Sequence, residues 1–150
     1  MTSIRAIAEI VLNARDLESL ARFYEDVLGF ERFGAETHAP DGDAAPTIVF
    51  LRIADLTPPF GAHHPQLLVL IDPSRHTYAA GKFDPPGGRN STLNHLAFQI
   101  DAGDYDAELA RLHGLGLEPV EAAFPNLRSR AIFFKDPEQN TLELICHEPG

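Results

Sequence analysis

Two carboxylates in this chain stand where carboxylates are costly. Thr141 to Cys146 alternates, with Leu142, Leu144 and Cys146 on one face and Thr141, Glu143 and Ile145 on the other. An ionised group in the middle of a strand is expensive unless it is paired or bound to a metal. Glu9 poses the same question. In the run Ile4 to Asn13, Ile10 and Leu12 face one way and Glu9, Val11 and Asn13 the other. A third residue of the same chemical interest is His95. It shares a face with Ala97 and Gln99, opposite Leu96, Phe98 and Ile100. Each has a simpler reading. Glu9 could lie at an exposed strand end, His95 could be a satisfied core histidine, and Glu143 could pair with Arg130 or Lys135 across strands.

The elements that must position these residues follow from pattern and punctuation. Asp16 is placed as a helix N-cap. Leu17, Leu20, Ala21, Tyr24, Val27 and Leu28 follow at helical spacing, and Gly29 ends the helix. Strands are predicted at 30–37, 47–53 and 66–71, with a loop over 38–46 and an irregular one over 56–65. Residues 72–91 are rich in Pro and Gly and read as a connection. His76, Tyr78 and Phe83 within it either anchor it or pack over a site. The second half repeats the order: a strand at 92–100, a helix capped by Asp104 and ended by Gly114 and Gly116, then strands at 118–124, 129–135 and 140–147. Leu28-Gly29-Phe30-Glu31 matches Leu115-Gly116-Leu117-Glu118, the mark of a duplicated module. Carried back with one extra residue in the turn at 101–104, the match sets Glu9 against His95, Val11 against Ala97 and Asn13 against Gln99.

Composition removes several classes. A net charge of -10 opposes binding to nucleic acid or anionic membranes. No apolar run is long enough to cross a bilayer, and no signal peptide is visible, so the expected location is cytoplasmic. The single cysteine, Cys146, excludes an internal disulfide and reads as a buried thiol.

The stretches FYEDVLGF (23–30), NHLAFQI (94–100) and DPEQNTLEL (136–144) resemble the vicinal oxygen chelate superfamily. That group includes glyoxalase I, extradiol dioxygenases, methylmalonyl-CoA epimerase, and fosfomycin- and bleomycin-resistance proteins. The resemblance implies an α+β fold of two βαβββ modules, with sheets curved into a cup-shaped mixed sheet and helices outside. Module 1 would span 4–72, a linker 73–91 and module 2 92–148, within one domain over 1–150.

In metal-binding members the ligands come from the first and last strands of each module. Carried onto this sequence, they are Glu9, His95 and Glu143. The fourth position falls on Val69 or Leu67, both apolar. Such a set suits a divalent ion (Mn, Fe, Zn or Mg) and leaves half of an octahedron for water or a chelating substrate. Glu143 and Glu9 are then also the candidates for moving a proton. Dioxygen chemistry normally uses two histidines and one carboxylate, which this set lacks. Candidate substrate-binding residues are Asn13, Gln99, Arg128, Arg130, Tyr78 and Phe133, with Phe134 beside them and His64 as a further ligand or base. The resemblance implies a small-molecule substrate with neighbouring oxygens, and a homodimer. The competing class is a metal-free protein that sequesters a small ligand in the cup. Where the family has glycine in the last turn this chain has Gln139, which the turn accepts provided that position does not need positive φ.

Overall fold

The computed structural model describes residues 7, 9–54, 65–77, 93, 95–125 and 128–147. The chain divides into two compact units, Met1–Asp84 and Pro85–Gly150.

The first unit runs β1 (Glu9–Asn13), α1 (Leu17–Leu28), β2 (Glu31–Glu36), β3 (Ile48–Ala54) and β4 (Gln66–Ile71). Its four-stranded sheet has the order β1-β4-β3-β2, with β1 parallel to β4 and the other neighbours antiparallel. α1 starts where the Asp16 side chain accepts from the Ser19 N–H at 3.0 Å. It ends at Gly29, whose φ of 70° is cheap only for glycine. Leu17, Leu20, Ala21 and Tyr24 are its buried stripe, against β3 and β4. Arg32 ties β2 to the helix, bonding Glu25 at 2.8 and 2.9 Å and Glu18 at 3.1 Å. The same bond holds the Glu18 carboxyl below its usual range. β4 does not alternate. Leu67 to Ile71 are all buried, as in a strand covered on both faces.

His76 is buried, and its N–H donates to the Asp72 carbonyl at 2.9 Å. Burial pushes its imidazole pKa down. Thr77 donates to the His38 carbonyl through both its N–H and its hydroxyl. His76 therefore anchors the start of the connection; Tyr78 and Phe83 lie outside the described residues.

The second unit runs β5 (Leu96–Gln99), a 3-10 turn (Ala102–Asp104), α2 (Tyr105–Gly114), β6 (Val120–Phe124), β7 (Ser129–Lys135) and β8 (Thr141–His147). Its sheet order is β5-β8-β7-β6, with β5 parallel to β8. Asp104 does not cap α2 as the sequence predicts. Its backbone is already helical, at φ -93° and ψ -8°, because the 3-10 turn feeds straight into the helix, and its side chain makes no cap bond. Gly116, with φ 76°, is the left-handed residue beyond α2. Leu96, Ile132, Phe134, Leu142, Leu144 and Cys146 are buried, and Tyr105 of α2 bonds the Ala131 carbonyl at 3.1 Å.

The two modules superimpose in their hydrogen bonding. Ala14 N–H donates to the Ile71 carbonyl at 2.8 Å, and Ile100 N–H to the Ile145 carbonyl at 2.9 Å. Ala14 and Ile100 are therefore equivalent, which sets Glu9 against His95. The 3-10 turn holds the one extra residue.

The β7–β8 turn departs from expectation. Gln139 has φ 70°, so its position does need the left-handed conformation. Asp136 offsets the strain: its carboxylate accepts from the N–H groups of Glu138 and Asn140 at 2.9 Å each and from the Asn140 amide at 2.7 Å. A left-handed non-glycine residue costs about 1 kcal/mol, and glycine returns part of that as chain entropy. Gln139→Gly is therefore expected to raise stability by about 0.5 kcal/mol. The urea midpoint checks this, and a lower midpoint would show that the Gln139 side chain holds the turn.

Candidate metal centre

Glu143 sits in the centre of β8, bonded on one side to β5 and on the other to β7. Its register partners are Ala97 and Phe133. Directly opposed residues project from the same face, so Glu143, Ala97 and Phe133 share one face. Leu142, Leu144 and Cys146 turn to the other. Only 4% of Glu143 is exposed. His95 lies one residue before β5, in phase with Ala97, and its Nε2 is 3.0 Å from Glu143 Oε2. Its ring meets that of Phe133 edge-on at 5.8 Å between centroids. The imidazole is the more open partner, with 38% of its side chain exposed. The partner of Glu143 is therefore His95.

Arg130 is not brought to this pair. It opposes Cys146 across β7 and β8, which puts it on the opposite face. There its guanidinium stacks over the Tyr105 ring at 4.0 Å, with Asp106 at 3.8 Å. The Tyr105 hydroxyl donates to Glu121 at 3.0 Å, and burial pushes its pKa up to about 12. Arg130 thus belongs to the helix packing. Arg128 is exposed in the turn before β7, with φ 51°. It lies five residues from Phe133, roughly 16 Å along the strand. Phe134 is buried on the helix side. Lys135 bonds the Thr141 hydroxyl at 2.5 Å rather than Glu143.

Gln99 opposes Ile145, so it keeps the face of Glu143 and is exposed. At the far end of that face Ser129 and His147 form a hydrogen bond of 2.6 Å. The sequence reading did not single out this pair; strand alternation would have put His147 in phase with Glu143. Cys146 is a buried free thiol.

In the first unit, Glu9 begins β1 as an exposed residue, and Asn13 is exposed on the same face. Val11 opposes Val69 as Ala97 opposes Glu143. By this register Val69, rather than Leu67, is the first-unit counterpart of Glu143. Val69 is 1% exposed and is flanked by Val11 and Phe50. Within each unit, no three His, Cys, Asp or Glu side chains among the described residues gather closely enough to hold an ion. His64 and Tyr78 lie outside the described residues.

The fold meets a known pattern. The family profile of the Glyoxalase/Bleomycin resistance protein/Dioxygenase superfamily matches residues 6–144. This chain belongs to that superfamily. Its α+β architecture of paired modules recurs in solved structures. A glyoxylase/bleomycin resistance protein/dioxygenase domain from Frankia sp. EAN1pec is similar at 20% identity and a TM-score of 0.68, over 99% of this chain and 96% of that one. Lactoylglutathione lyase from Agrobacterium tumefaciens shares 22% identity with a TM-score of 0.64, over 97% and 96%. A mutant of the fosfomycin resistance protein FosX from Listeria monocytogenes, complexed with Mn(II) and 1S,2S-dihydroxypropylphosphonic acid, shares 21% identity with a TM-score of 0.64, over 99% and 95%. At these identities the likeness concerns the fold. No curated protein sequence matches. No helix among the described residues is long and apolar enough to cross a membrane.

Proposed function

We propose that this superfamily member is a divalent-metal-dependent enzyme acting on a small molecule with oxygens on adjacent atoms. The observation that carries the reading is the His95–Glu143 pair: a buried carboxylate in the middle of β8 and a half-open imidazole one residue before β5, 3.0 Å apart. Two neighbouring ligands with bonds of about 2.1 Å at right angles stand about 3.0 Å from each other, so the donor spacing fits an ion. Glu9 is the proposed third ligand, and the two carboxylates balance a divalent charge. The mixed oxygen and nitrogen set suits Mn, Fe, Zn or Mg. The FosX relative complexed with Mn(II) and a vicinal dihydroxy compound supports both the metal class and the substrate class.

A bound ion would supply Lewis acidity toward the two substrate oxygens. The chain's own residues supply the rest. Phe133 fixes the tilt of the His95 ring through their edge-on contact. Glu143, held between β5 and β7, keeps its carboxylate on the imidazole. Glu9, the more exposed carboxylate, is the group proposed to take a proton from substrate carbon at a carboxylate oxygen. One histidine rather than two favours proton transfer, of the isomerase or lyase kind, over dioxygen chemistry. We further propose a cytoplasmic homodimer.

The test is Mn²⁺ titration of chelator-stripped protein. Altering a residue outside the ligand shell costs about 10–100-fold in metal affinity, so His95→Ala and Glu143→Gln are each expected to lose at least that much. Unchanged affinity in both variants would reject the site. Ligand binding that survives chelation would move the chain to the metal-free class.

A further inference from the structure

Beyond the His95–Glu143 pair, the same face of the second unit's sheet carries more polar groups. β5 puts Ala97 and Gln99 on it, both exposed. β8 continues it from Glu143 through half-buried Ile145 to exposed His147. The open strip thus follows the seam between these two parallel strands, from His95 to Gln99 and His147. Ala97, beside Glu143, narrows it by no more than a methyl group. Register gives its length. His147 is four residues beyond Glu143, roughly 13 Å along the strand, and Gln99 is two beyond Ala97, roughly 7 Å. Gln99 opposes Ile145. Gln99 and His147 are therefore diagonal neighbours, about 8 Å apart at Cα, which long side chains can bridge. Ser129 fixes the histidine ring. It is 3% exposed on β7, opposes His147, and its hydroxyl oxygen lies 2.6 Å from Nδ1. Nδ1 is thereby turned toward β7, and Nε2 away from it, to the β5 side. With the hydroxyl donating to Nδ1, Nε2 carries the proton; in the imidazolium both nitrogens do. The Gln99 amide is a second donor.

We infer that Gln99 and His147 together bind a carboxylate at the far end of the substrate, whose adjacent oxygens lie at the His95–Glu143 pair. This rests on the metal-dependent reading above and involves the second unit alone. The substrate class is then an extended organic acid. It carries neighbouring oxygens at one end and a carboxylate about 10 Å away, between the two spans above. Two N–H donors suit an ionised carboxylate, which only accepts, and bonds to it are stronger than those to a neutral acceptor. Ile145, between the two ends, offers apolar contact to the connecting carbons.

Chain length is the ruler. At roughly 1.2 Å per bond of an extended chain, 2-oxooctanedioate spans the strip and 2-oxoglutarate does not. 2-Oxooctanoate and 2-oxopentanoate match them in length and lack the distal carboxylate. All four are titrated calorimetrically into Mn²⁺-loaded wild type, Gln99→Glu and His147→Ala. Wild type is expected to prefer 2-oxooctanedioate over 2-oxooctanoate by about tenfold or more, the scale of one charge-assisted hydrogen bond. The shorter pair should show no such preference. Gln99→Glu puts an anion where a donor stood and should abolish the long-chain preference, and His147→Ala should weaken it. Equal binding of the long pair by wild type overturns the inference without recourse to any variant. So does the same preference in the short pair, or one that persists in both variants. Wild type that takes up no Mn²⁺ overturns the functional reading and this inference together, whereas Mn²⁺ binding without the long-chain preference overturns this inference alone.

Discussion

Glu143→Val is expected to make the protein more stable and to abolish metal binding in the same step. Glu143 is 4% exposed between Ala97 and Phe133, and its ionic partner, His95, is 38% exposed at the side chain. Replacing both members of a buried ion pair by apolar side chains is often stabilising by about 1–4 kcal/mol; Glu143→Val removes only the buried member, and the remaining imidazole, 38% exposed, keeps contact with water. The half-open imidazole argues for the low end. The protein contains the apolar version already: Val69, the counterpart of Glu143 in the first module, is 1% exposed between Val11 and Phe50. A gain of about 1–2 kcal/mol should appear as a rise in Tm of several degrees. The opposite deletion has the opposite sign. His95→Ala leaves the carboxylate buried without that partner, at a cost of about 3 kcal/mol. Urea unfolding of both variants, beside Mn²⁺ titration, reads the two effects separately. A Glu143→Val protein less stable than wild type would mean that the pair holds the sheet together rather than serving chemistry.

Asp136→Ala should carry the second large effect, through the turn that aims Glu143. The carboxylate, 2% exposed, receives the Glu138 and Asn140 N–H groups and the Asn140 amide. Alanine leaves two backbone donors to find other acceptors. Each buried donor left unsatisfied costs about 1–3 kcal/mol, so a loss of about 3 kcal/mol is expected. Asp136→Asn keeps an acceptor oxygen and should lose less. The consequence extends beyond stability. The turn fixes the register in which Phe133 opposes Glu143, and a one-residue slip would turn Glu143 to the helix side. Metal affinity in Asp136→Ala should therefore fall although no proposed ligand is altered. Retained affinity would show that β5 alone holds β8 in register.

How much of this was legible beforehand depends on the range of the forces involved. α1 could be read residue by residue, because its cap at Asp16, its stripe from Leu17 to Tyr24 and its stop at Gly29 are local. The alternation of β8 likewise assigned Glu143 and Cys146 to opposite faces, since successive side chains of any strand must diverge. The repeat was legible too, down to the extra residue that the 3-10 turn at Ala102–Asp104 accommodates. The cap at Asp104 failed for a local reason the pattern does not carry: its backbone had already turned helical.

Pairing between strands lies beyond any such pattern. His95, Arg130 and Lys135 were all chemically reasonable partners for Glu143, and alternation along each strand does not say which face of one meets which face of the next. The hydrogen-bond register decided it. Arg130 opposes Cys146 and is carried to Tyr105, while parallel pairing of β5 with β8 delivers His95 to the carboxylate. The same kind of register made Val69, rather than Leu67, the counterpart of Glu143 and set Gln99 diagonal to His147. The sequence by itself determined the modules, their helices and which side chains share a face within a strand, because those depend on neighbours along the chain. Tertiary structure alone decided which faces meet, because that depends on a turn geometry and a ladder of backbone bonds that side-chain type does not encode.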